Sequence, residues 1–178
     1  MPLSQEQHTP MDTLTALYID ALRHGEALWF RVTSGSMTPI LHVGDEVRIE
    51  PASAAAIRTG EIAAFETAEG LVIHRIVRRQ QSGTAVRLVE MSDVRLYPGW
   101  IDGQSIIGRV ILARHDTHLI NLQHPIAQMC STVTALLRYR LYYLYTLNTF
   151  KLWRMFLHTS SRLVVFAGDW CIRKCSAS

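Results

Sequence analysis

Lysine is nearly missing from this chain: among 178 residues the only two are Lys151 and Lys174, both beyond residue 150. A serine–lysine dyad upstream of that point is excluded, and a base serving a nucleophile there must be histidine or a carboxylate. Cysteine is scarce too. Cys130, Cys171 and Cys175 make an odd set, which argues against a closed disulfide framework and for reduced thiols. Cys171 and Cys175 stand at helical spacing, but no second ligand pair lies nearby, so no zinc site is expected of them. Nowhere do about 18 apolar residues run together, the length a spanning helix needs. Residues 1–10 are polar where a secretory signal is apolar. The expected location is cytoplasmic, with attachment to the inner face of the membrane as a peripheral variant.

What is present fills a core. Hydrophobic residues make up 48% of the chain, and the length suits one globular domain with appendages. The formal net charge of +3 hides a division: residues 1–114 carry 11 Lys and Arg against 13 Asp and Glu, whereas residues 115–178 carry 7 against 2. The front part stands at −2 and the tail at +5 by the same counts, so an anionic partner is met by the tail.

From residue 11, Leu14, Leu17, Tyr18 and Leu22 recur at three-to-four spacing, predicting a short amphipathic helix with Asp12 as a cap and His24-Gly25 at its end. Apolar patterning in 26–33, 46–50, 57–65 (a turn and then a strand), 70–78, 86–90 and 105–112, divided by glycine turns and polar loops, predicts short antiparallel strands. The fold class is therefore mainly β, with a short N-terminal helix and a C-terminal helical tail. Three regions follow: a leader and helix over 1–27, a β body over 28–114, and a basic, aromatic-rich helical region over 115–178. In the last, 126–146 and 150–166 mix Leu, Tyr, Phe and Trp with arginines. They read as two or three helices, packed on the body or lying on an anionic membrane surface.

The densest turn chemistry is Ser34-Gly35-Ser36-Met37-Thr38-Pro39, followed by a Gly44-Asp45 turn and an alternating strand. A serine hydroxyl needs a neighbouring base to become a nucleophile. His74 lies in the run Leu71-Val72-Ile73-His74-Arg75-Ile76-Val77, where alternation sets Val72, His74 and Ile76 on one face. Taken alone, such a histidine is a half-exposed strand residue; the serine-rich turn upstream is what makes a Ser36–His74 pair worth considering.

Four segments in order, SGSMTPILHVGDEVRIEP, RTGEIAAFE, VIHRIV and IIGRV, resemble the successive blocks of the signal peptidase I and LexA-like clan. The branch they resemble is the His-type one of archaeal, endoplasmic-reticulum and SipW-like signal peptidases. The resemblance spans roughly residues 28–112 and implies a signal-peptidase-like antiparallel β catalytic domain. It implies that Ser36 is the nucleophile and His74 the base that replaces lysine, and that the Ser34 hydroxyl joins the Ser36 amide at the oxyanion. Met37, Pro39, Gly44 and Asp45 match structural positions beside the site.

The clan's block before the closing strand carries two aspartates, the second orienting the histidine. Here Met91-Ser92-Asp93-Val94 matches only the first, so Asp93 is expected to orient His74 or shape the site, with Asp102 in reserve. The function implied is a serine endopeptidase cleaving an extended peptide or precursor segment, with no metal or organic cofactor. The other reading is a catalytically weak peptide-binding or assembly protein that keeps the fold. A self-cleaving repressor is disfavoured, because no DNA-binding helical unit precedes Ser36 and the clan's lysine is absent. Partners are a peptide or precursor substrate and, through the tail, an anionic membrane surface or another protein; nothing points to nucleic acid. His115-Asp116-x-His118, with His124 beyond, fits no standard metal spacing and reads as a polar boundary loop.

Overall fold

In the computed structural model the described residues are 13–147 apart from 84, together with 165, 166 and 169. The first helix, α1, spans Thr13–Arg23 and buries Ile19 and Leu22. The strands are β1 Leu28–Arg31, β2 Glu46–Pro51, β3 Ile62–Thr67, β4 Gly70–Ser82, β5 Ala85–Met91, β6 Pro98–Asp102, β7 Ile106–His115 and β8 His118–Asn121. A second helix, α2, covers Pro125–Leu147. The fold is mainly β, as the alternation predicts. Asp12, the expected cap, and most of 150–166 lie outside the described residues.

All strand pairs are antiparallel, in the order β1-β2-β7-β3-β4-β5-β6. The closing strand β7 is central: β2 pairs along one side, while β3 and β8 share the other. Two strands escape the sequence pattern. Residues 98–102 fall between the expected strands, yet Pro98 opens β6, where a proline is tolerated because β6 is an edge strand. The His115–His118 stretch reads as a boundary loop, yet Asp116 with φ 50° turns the chain into β8. The sheet thus continues past 114 to Asn121.

Apolar residues gather in three clusters. The largest joins α1 (Ile19, Leu22) to β2 and β7 and takes in Met37, Ile40 and Leu41 from the loop between β1 and β2. Each of those three side chains is essentially fully buried, a burial that stabilises by about 1.5–3 kcal/mol apiece. The serine-rich turn is therefore fastened from below at Met37.

Helix α2 starts with Pro125, where the missing N–H is no loss. Its buried positions Ala127, Thr134, Ala135 and Arg138 recur at helical spacing. They are small or polar, while Ile126, Met129, Val133, Leu136, Leu137 and Leu144 are exposed. The helix docks by hydrogen bonds: Thr132 donates to the Thr59 carbonyl at 3.1 Å and Ser131 to the Gly60 carbonyl at 2.6 Å. Gly60 has φ 97°, and a Cβ there would stand 2.6 Å from the Thr132 amide nitrogen, so only glycine admits this approach.

Candidate active site

Ser36 projects from the turn between β1 and β2, held by local bonds from the Thr38 amide to the Gly35 carbonyl and from Leu41 to the Met37 carbonyl. The Thr38–Pro39 peptide is cis. Gly44, at φ 95°, closes the following turn, and its amide donates to the Val32 carbonyl while the Val32 amide donates to that of Asp45. The Ser34 and Ser36 hydroxyls are hydrogen-bonded at 3.2 Å. Met37, Pro39, Gly44 and Asp45 are thus all part of the frame around Ser36.

His74 sits on β4, where Ala63 of β3 is its cross-strand partner. Its Nδ1 lies 2.7 Å from Glu90 Oε2 on β5. An ionised carboxylate can only accept, so Nδ1 carries the proton and Nε2 is left with a free lone pair, the tautomer a general base needs. Both side chains are mostly buried, with 19% and 17% of their surface exposed. The Phe65 ring, 6.1 Å from the imidazole, helps shield them. Across β5 and β6, Glu90 faces Gly99; a Cβ at Gly99 would fall 2.1 Å from Glu90 Oε1. That glycine makes the room in which the carboxylate turns toward His74.

Asp93 does not face His74. Its two oxygens take a bidentate pair from Arg75, at 2.9 Å from Nε and 2.7 Å from Nη2, with both side chains almost wholly buried. Arg75 points to the face of β4 opposite His74 and also donates to the Gly60 carbonyl at 3.0 Å and to Ser131. The expectation that Asp93 orients the histidine is corrected: the carboxylate on His74 is Glu90. Asp93 instead sits in the turn in which Ser92 Oγ donates to the Ser36 carbonyl at 2.6 Å and the Val94 amide donates to the same oxygen at 3.2 Å, and its pair with Arg75 fastens that turn. The reserve candidate, Asp102, instead caps a 3-10 turn by accepting from the Gln104 amide.

Arg138 of α2 completes the support. It donates to the carbonyls of Ser92 and Arg95 at 2.8 Å each. Burial pulls its pKa below the ordinary guanidinium value, Asp93 acts to raise it and Arg75 lowers it further. A guanidinium remains charged even so, and two buried cations thus share the field of one aspartate. The sequence signal for this was a second arginine at a buried helical position, visible only once the helix face is known.

Ser36 and His74 line one groove of about 710 Å³, with Tyr18 of α1, Phe30 of β1 and Ile73 of β4 among its walls. Tyr18 and Phe30 meet edge to face at 5.1 Å. Two strand edges open onto it. β1 pairs with β2 alone among the described residues, and β5 first pairs with β4 at Arg75, leaving residues 70–74 paired on one side only. An extended peptide fits such edges by adding a strand.

A family model described as Peptidase S24-like matches residues 2–111, which takes in α1, the serine turn, His74 and Glu90. No curated protein matches the chain.

Proposed function

The chain belongs to the Peptidase S24-like family, and on that premise we propose that it is a serine endopeptidase working by a Ser–His mechanism, in the manner of the His-type signal peptidases. The observation that carries this reading is the pairing of His74 with Glu90 at 2.7 Å at the wall of the same groove that Ser36 lines. His74 Nε2 takes the proton from Ser36 Oγ as that oxygen attacks the scissile carbonyl. The imidazolium formed is stabilised by Glu90, and the oxyanion meets the Ser34 hydroxyl and the Ser36 amide. The proton then passes to the leaving amine, and water hydrolyses the acyl-serine by the same base. The reading of the fold as a weak peptide-binding protein drew on the want of a second aspartate, and Glu90 supplies a carboxylate in its stead.

Cleavage of a peptide library by the purified chain, beside Ser36→Ala and His74→Ala, tests this. Each substitution should lower kcat/KM by about 10³-fold or more; equal product profiles from all three proteins would defeat the proposal.

For partners, we propose a substrate strand docked between β1 and β4, and an anionic membrane surface met by α2 and the tail. The exposed apolar side chains of α2, with Arg140 exposed between Leu137 and Leu144, and the +5 charge of residues 115–178 support the second partner. No helix among the described residues is long and apolar enough to cross a membrane.

A further inference from the structure

On the far side of the nucleophile loop, three side chains from two separate places in the chain converge: His42 and Asp45 after the serine turn, and His115 at the end of β7. One ligand atom from each lies within 4.8 Å of the other two. We propose that His42, Asp45 and His115 form a binding site for one divalent transition-metal ion of the zinc type.

The donor set fits the chemistry, since two imidazole nitrogens and one carboxylate oxygen are ligands zinc accepts, with a fourth position left for water. Asp45 is buried and fixed. Its Oδ2 accepts from the His42 amide at 2.8 Å, and its Oδ1 lies 2.5 Å from His115 Nδ1. His42 Nδ1 stands 3.8 Å from Asp45 Oδ2. Bonds of about 2.0–2.2 Å to a tetrahedral ion place ligands roughly 3.3–3.5 Å apart, so the His115–Asp45 pair must open by about an ångström and the His42–Asp45 pair close by a few tenths of one, while the two imidazoles stand within 4.8 Å of each other. An independent observation points the same way: His42 Nδ1 is shut off from solvent and has no hydrogen-bond partner among the described residues. A cation would satisfy that nitrogen.

The second ring also has a place for its displaced proton. When Nδ1 of His115 becomes a ligand, its proton moves to Nε2, and Nε2 lies 3.7 Å from Asp116 Oδ2. That carboxylate is the type of outer partner that orients a ligating histidine. Side-chain exposures of 42% for His42 and 40% for His115 leave a route for entry. The ion would clamp the loop carrying Ser36, through Asp45 and its backbone pairing with Val32, onto β7. The histidine spacing in sequence gave no sign of it, because His118 and His124 belong to no such group and His42 lies far upstream.

Titration of the full chain with Zn2+ and with Co2+, for wild type, His42→Ala, His42→Gln and His115→Ala, tests the site apart from any peptidase activity. Wild type should bind one zinc ion, raise its melting temperature by about 5–10 °C at free zinc 100-fold above Kd, and give the visible Co2+ bands of a tetrahedral nitrogen–oxygen site. The variants, checked for folding by circular dichroism, should each bind at least about tenfold more weakly. Absence of micromolar binding, equal binding by all four proteins, or a Co2+ spectrum with only thiolate charge-transfer bands would overturn the proposal.

Discussion

Glu90 and Asp93 lie three residues apart, and the two carboxylates do different work because β5 ends between them. Glu90 is still in the strand and reaches the His74 face; Asp93 is past it and turns to Arg75. Glu90→Gln should lower kcat by about 10²–10⁴-fold, because the amide no longer fixes the tautomer, while shifting stability by less than about 1 kcal/mol for a pair at the groove wall. Asp93→Asn should do the reverse, costing about 3–5 kcal/mol in chemical denaturation by leaving Arg75 buried without its counter-charge. Gly99→Ala should push the Glu90 carboxylate aside, a flexible end that yields cheaply, and lower kcat by about 10–10²-fold with little loss of stability. That Ser36 and His74 line one groove was within reach of the sequence, because the four ordered segments frame them. Glu90 was not, because it sits inside an ordinary alternating strand, and only the register that sets β5 against β4 brings it to the histidine.

At the scale of elements, the serine turn is held from two sides: by Met37, Ile40 and Leu41 in the core beneath it, and by residues 92–94, themselves fastened by Arg75 and by Arg138 of α2. The second helix is therefore part of the body that holds the serine turn. Gly60 is the contact point, and Gly60→Ala should destabilise the protein by about 2–4 kcal/mol, since both the positive φ and the backbone of Thr132 oppose a methyl group. Urea unfolding measures it; an unchanged midpoint would mean that α2 docks elsewhere. The strands with clean alternation were readable from the sequence. β6 and β8 were hidden, one behind Pro98-Gly99 and the other behind a histidine-rich turn, because in both cases pairing to a neighbour overrides weak local preference.

For the molecule as a whole, the reading of the tail as basic and aromatic missed that α2 buries mainly small and polar side chains, with Tyr139, Leu141 and Tyr142 only partly covered, and leaves Ile126, Met129, Val133, Leu136, Leu137 and Leu144 exposed. Helical periodicity alone cannot say which stripe meets the body. If that outer face meets anionic lipid, the full chain should co-sediment with phosphatidylserine vesicles at low salt and release at high salt; indifference to vesicles at both would remove the proposal. The central claim is that one hydroxyl and one imidazole on this sheet form a working pair, and a fluorophosphonate probe followed by mass spectrometry tests it most directly. Wild type should carry the adduct on Ser36, with labelling about 10²-fold or more slower in His74→Ala. An unlabelled Ser36, or equal rates with and without His74, would contradict it.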